Sequence, residues 1–126
     1  MINKSELRKG NIVSLSRQIV TIKEVFEETV LTQLITGEEI FFSLMSIYPI
    51  QLTGNLLMNK LGFQEWSKNS DMYVNSLFVL DYGEGRFHSI PGDGPFYYVH
   101  QLQNLYLKFN NSELVVNNLF ESTQKL

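Results

Sequence analysis

Two histidines, His88 and His100, and a scatter of carboxylates are the residues best placed to do chemistry in this chain. A metal site would need both imidazoles together with a carboxylate such as Asp81 or Asp93. No His-x-His or His-x-x-x-His spacing gathers ligands locally, so none is expected. Asp81, Glu84 and Asp93 are the nearest approach to a general acid–base set. Such a set needs a cleft and one raised pKa, whereas two of the three sit in or beside turns, where carboxylates serve solubility and backbone hydrogen bonding. Gly83-Glu84-Gly85 and Gly92-Asp93-Gly94 lack the Lys-Ser/Thr pair of a phosphate loop. No serine stands in a nucleophile-elbow context. The chain has no cysteine, which excludes disulfides, thiolate metal sites and a Cys nucleophile. No catalytic residue, metal or cofactor is therefore expected.

Binding is the remaining kind of chemistry, and two residue sets offer it. His100, Asn104 and Lys108 recur every four positions, with Gln101 beside them, so a helix would align them along one side. That polar face is a candidate interaction surface for a peptide or nucleic acid; its plainer reading is a solvated face or a set of caps for loop backbone. Gln103 and Asn104 have a further structural use, since a buried amide can hold backbone N–H and C=O groups. The second set is Lys4, Arg8, Lys9, Arg17 and Lys23, opposed only by Glu6 before Glu24. These are the alternative nucleic-acid contacts. Glu24, Glu27, Glu28, Glu38 and Glu39 follow with no basic residue among them, and adjacent blocks of opposite sign in one small unit are expected to balance each other. Tyr73, Tyr82, Phe87, Phe96, Tyr97 and Tyr98 resemble a stacking platform, but Arg86 is the only Lys or Arg between residues 69 and 107. Core packing is the better reading of those rings. The net charge of −3 also argues against electrostatic coating of nucleic acid.

The elements that would carry these residues are legible. Hydrophobic residues at 44%, aromatics at 13% and charged residues at 18% predict a folded, β-rich chain. Asn11–Leu15, Ile19–Val25, Thr29–Ile35, Glu39–Phe42 and Ile47–Tyr48 read as strands. Glu24 breaks the alternation of its strand and predicts a bulge. Thr36-Gly37-Glu38 supplies a tight turn, and Ser43–Ser46 a single helical turn. Short strands with tight connections predict a small barrel, since closure removes exposed edges. Pro49 marks the joint. Thr53 is a good N-cap for a short helix with Leu56, Leu57 and Leu61 on one side, ended by Gly62 and Phe63. Strands follow over Phe63–Trp66, Met72–Val74, Leu77–Tyr82 and Arg86–Ile90, with turns at Lys68–Asp71 and Gly83–Gly85 and a loop at Pro91–Pro95. Val99, Leu102, Leu105, Tyr106 and Phe109 predict an amphipathic helix whose stripe packs on the sheet. Asn110–Ser112 ends it, Leu114–Val116 reads as one more strand, and the polar tail from Asn117 is expected to fray.

The predicted fold is thus α+β. A Src-homology-3-like β-barrel over residues 1–48 precedes an α+β unit over residues 49–126, an antiparallel sheet with two packed helices. The two parts are expected to share an interface. No apolar run is long enough to span a bilayer, and the N-terminal residues lack a signal-peptide core, so a soluble cytoplasmic protein is expected.

The nonapeptide Tyr98-Val99-His100-Gln101-Leu102-Gln103-Asn104-Leu105-Tyr106 resembles a signature of small uncharacterised proteins from Bacteroidetes genomes and their phages or mobile elements. Those proteins open with a segment similar to Leu7-Arg8-Lys9-Gly10-Asn11-Ile12-Val13. They continue with one like Pro49-Ile50-Gln51-Leu52-Thr53 and a leucine-rich helix ending like Leu61-Gly62-Phe63. The three matches keep their order here. The chain departs from the pattern after the last helix, with Asn110-Asn111-Ser112-Glu113-Leu114 where a Thr-Gly-Glu-Glu-Leu-like end is usual. The resemblance carries no activity and no catalytic residue. It implies a phage- or mobile-element-associated accessory protein, and the residues predict a non-enzymatic module that binds another protein or associates with itself through a sheet edge or exposed aromatics.

Overall fold

A computed structural model describes residues 2–68, 70–76, 78–90 and 94–116. The Asn69 turn position, the Leu77 strand start, Pro91–Asp93 and the tail from Asn117 lie outside the described residues. The chain is α+β, with two antiparallel sheets and, among the described residues, two α-helices. It divides into two compact units, one up to Ile50 and one from Gln51.

The first unit is a five-stranded antiparallel sheet. Its strands are β1 (Ile12–Leu15), β2 (Gln18–Val25), β3 (Thr29–Gln33), β4 (Glu39–Ser43) and β5 (Ile47–Tyr48). They run in the order β4-β3-β2-β1-β5. The expected closed barrel is not formed by hydrogen bonds, because β4 and β5 are the two ends of this order and no ladder joins them among the described residues. The register of β2 against β3 slips between Ile22 and Glu24. That bulge turns the strand, as the broken alternation predicts. A single 3-10 turn, Leu44–Ser46, leads into β5, with the Ser43 hydroxyl accepting from the Met45 N–H at 3.2 Å. Val13, Leu15, Val20, Ile22, Val30 and Ile47 form the core with Ile2 and Leu7. The β1–β2 connection is a two-residue turn in which Ser16 and Arg17 both hold positive φ, 46° and 70°. Such a turn matches the twist of a hairpin but normally uses Asn and Gly.

The second unit pairs β6 (Gln64–Glu65), β7 (Met72–Asn75), β8 (Phe78–Gly83) and β9 (Arg86–Ile90) in sequence order. Helix α1 (Gly54–Lys60) starts where Thr53 predicts, its hydroxyl accepting from the Leu56 N–H at 3.1 Å. Gly62 ends it at φ 76°, and Phe63 folds back to donate its N–H to the Leu57 carbonyl at 2.9 Å. Leu57, Leu61, Phe63, Leu80, Phe87, Val99 and Leu102 are buried. Helix α2 (Val99–Asn110) closes with Asn111 in the left-handed region, its N–H on the Leu107 carbonyl. Tyr106 of α2 lies 5.2 Å from Phe78 of β8, ring centre to ring centre.

Two expectations for this unit need correction. Leu114–Val116 forms no strand; Leu114 buries its side chain without joining a ladder. Phe96 occupies the outer edge of β9 at Phe87 with reciprocal backbone bonds of 3.0 and 2.9 Å. The apolar stripe of α2 is also unevenly buried. Val99 and Leu102 are fully covered, whereas Phe109 is 46% exposed with the Lys108 ammonium 5.5 Å from its ring centre.

Candidate functional site

The polar residues of α2 do not form one exposed face. His100 is only 1% exposed and Gln103 2%. Gln101 and Asn104 are half-buried, and Lys108 is exposed. The first turns of α2 are enclosed on more than the apolar side, so the four-residue spacing that aligns His100 with Lys108 does not bring them to a common surface. Gln101 caps the helix: its amide oxygen accepts from the backbone N–H groups of Tyr97 at 2.9 Å and Tyr98 at 3.1 Å. Of the four candidate residues, His100 is withdrawn from solvent and Gln101 is engaged as a cap, while Asn104 keeps partial and Lys108 full exposure.

The five basic residues do not all share one place: Arg8, Lys9 and Lys23 are neighbours, and Arg17 stands apart. The Lys4 ammonium donates to the Glu27 carbonyl at 3.0 Å. Arg8 is half-buried and Lys9 exposed in the turn before β1, near Lys23, since Gly10 and Asn11 bond the backbone of Ile22. Arg17 sits at the opposite end of the β1–β2 hairpin, roughly 20 Å along the strand from Lys23 at ordinary strand rise. The aromatic set of the second unit is mainly core. Tyr73, Phe87 and Phe96 are buried, and Tyr82 covers Phe87 at 4.8 Å between ring centres. Burial, followed by the negative charges of Glu65 and Asp71, pushes the Tyr73 phenol above its ordinary value of 10.0. No group of three His, Asp or Glu among the described residues could hold a metal ion. No helix among them is long and apolar enough to cross a membrane.

The exposed chemistry lies instead on β4. It forms one end of the first sheet, so its outer edge has no partner strand among the described residues. The bonds from Leu34 N–H to the Glu38 carbonyl and from Leu44 N–H to the Glu28 carbonyl, 2.8 and 3.0 Å, fix the phase of the β3–β4 ladder. Alternation along an antiparallel pair then gives Ile40 and Phe42 the bonds to β3 and turns the N–H and C=O of Glu39, Phe41 and Ser43 outward. The Phe42 side chain packs on the core. Phe41 points the other way and is 60% exposed, with Leu31 opposite it on β3 and Phe26 at 5.8 Å between ring centres. At the Ser43 end an open groove of about 700 Å³ is lined by Ile2, Lys4, Glu28, Leu44 and Met45 among others. Met45 is 71% exposed.

The sequence carries a signal for this edge outside its polar motifs. Phe41 and Phe42 are adjacent on a strand, so they must face opposite sides, and one ring has to leave the core. No protein-family model, curated protein or solved structure matches the chain.

Proposed function

We propose that this chain is a non-enzymatic, cytoplasmic binding module that takes an extended segment of a partner protein onto the β4 edge. The observation that carries the reading is Phe41, a large apolar side chain held in the open beside outward-facing backbone groups. An added strand would bond that backbone and cover the ring in one step, the recognition mode known as strand addition. The same reading takes the first unit as Src-homology-3-like. Support comes from a five-strand meander whose last strand returns to the first, a bulged β2 and a 3-10 turn before β5. The resemblance of the Tyr98–Tyr106 segment supports an accessory role in a phage or mobile element.

Panning a random peptide library against the whole chain tests the reading. Phe41→Pro is the matched control. Its N–H faces outward, so proline removes a docking group without taking a bond from the β3 ladder, and edge strands tolerate proline. Enriched peptides should bind the parent chain and lose at least tenfold in affinity on Phe41→Pro and on Phe41→Ser. Peptides held equally by all three proteins, or an empty selection, would refute the assignment.

A further inference from the structure

The outer edge of β4 is bracketed by acid. Glu38 and Glu39 stand at its start, and Glu27 and Glu28 stand at its finish, where the Glu28 carbonyl bonds Leu44. All four side chains are exposed, as is Glu24 in the neighbouring strand β2. From Glu24 to Asn59 the chain has five glutamates and no lysine or arginine. The expected balancing by the basic N-terminal block is not made through ion pairs: among the described residues none of these five carboxylates is in a salt bridge, and Lys4 bonds the Glu27 backbone rather than a carboxylate.

Which occupant suits such an edge follows from pairing geometry. A second copy of β4 would pair antiparallel about Phe41, because the outward groups of residues 39, 41 and 43 must meet their own kind. That arrangement sends Glu38 and Glu39 of each copy toward Glu27 and Glu28 of the other. Like charges then meet at both ends, a recognised safeguard against edge-to-edge self-pairing. The same four charges attract a strand with basic ends.

We propose that the β4 edge selects a cationic segment, apolar at its centre and rich in lysine or arginine at both ends. The centre lies on Phe41, Leu31 and Phe26. The five residues of β4 span about 17 Å, which sets the spacing between the two basic ends. One end of the segment continues over the open groove beside Ser43, lined by Glu27 and Glu28, by the apolar Leu44 and Met45, and, among the described residues, by the single cation Lys4, which is held on the Glu27 carbonyl. A second, polar depression at the same loop is lined by Phe26, Glu27, Glu28 and Thr29. This inference rests on the strand-addition reading and narrows it to one class of partner.

Fluorescence anisotropy with three labelled peptides tests the selection on the intact chain. All share a Thr-Val centre; their ends are lysine, glutamine or glutamate. The lysine peptide should bind at least about tenfold more tightly than the glutamate peptide at low salt. That preference should shrink severalfold between about 25 and about 250 mM salt as the charges are screened. Replacing all four carboxylates by Glu27→Gln, Glu28→Gln, Glu38→Gln and Glu39→Gln should remove the preference and leave binding of the glutamine peptide unchanged. Phe41→Pro should abolish binding of every peptide. Equal binding of all three peptides, sensitive to Phe41→Pro, would overturn the charge selection while leaving strand addition standing. Lysine-peptide binding that ignores Phe41→Pro would overturn both. A parent chain that dimerises in light scattering, with Phe41→Pro monomeric, would assign the edge to a second copy and overturn the cationic partner.

Discussion

The amide oxygen of Gln101 accepts from two consecutive backbone N–H groups just before and at the start of α2. Those donors belong to chain that no helical bond reaches. Gln101→Leu keeps the size of the side chain and strands both donors, so it should cost about 1 to 3 kcal/mol, read as a lower urea midpoint at unchanged slope. Gly54 shows a different single-residue constraint: a Cβ there would run into the Tyr73 hydroxyl. Gly54→Ala should therefore destabilise by about 1 to 2 kcal/mol despite alanine's better helix propensity. Adding Tyr73→Phe, which removes the hydroxyl, should recover part of that loss in a double-mutant cycle. Tyr73 also makes a pH prediction. Its phenol is raised in the folded chain, chiefly by burial. Below the ordinary value of 10.0 both folded and unfolded states keep the proton and nothing is lost. As pH climbs above that value the unfolded state ionises first, and stability falls until the folded phenol titrates as well. Chemical denaturation on either side of this window should show the alkaline loss in the parent and a smaller one in Tyr73→Phe.

At the scale of elements, adjacent phenylalanines on β4 have opposite duties. Phe42 packs on the core and Phe41 does not. Phe42→Ala should cost about 2 to 4 kcal/mol, while Phe41→Ser should stay within about 0.5 kcal/mol of the parent; thermal melts of the two variants check the contrast. The same elements show what is readable without coordinates. Alternation of Val20 and Ile22 against Thr21 and Lys23 locates β2, β-branched residues locate β3, the break at Glu24 locates the bulge, and Thr53 with Gly62 brackets α1, because each is a local preference. Closure of the barrel is not local. It requires β4 and β5, separated by the Leu44–Ser46 turn, to find each other, and residue types along either strand do not encode that meeting. The burial of α2 fails for a related reason. Apolar spacing identifies the stripe of Val99 and Leu102, but His100 and Gln103 are buried by what surrounds them, and a polar residue type gives no sign of enclosure. Several residues of the sequence motifs have structural duties in this light. Leu7 is in the core, the Asn11 carboxamide accepts the Arg8 N–H at 2.7 Å, Thr53 caps, Gly62 terminates and Gln101 holds the start of α2. Their spacing records how the chain folds.

On the scale of the whole molecule, a net charge of −3 conceals a strong local asymmetry, with every glutamate between residues 24 and 59 unaccompanied by a base. The basic residues before them are dispersed between a turn, a strand and a hairpin tip. Charge in this protein is therefore best understood by address. Stability has a comparable local reserve at the tip of the first hairpin. Ser16 and Arg17 hold a backbone shape that side chains with a Cβ resist, and each carries a torsional penalty there. Installing an asparagine–glycine pair at the tip, through Ser16→Asn and Arg17→Gly, should release about 1 to 2 kcal/mol and raise the calorimetric melting temperature by several degrees. A more heat-resistant version of the molecule is thus two codons away, at a corner remote in the strand order from the β4 edge.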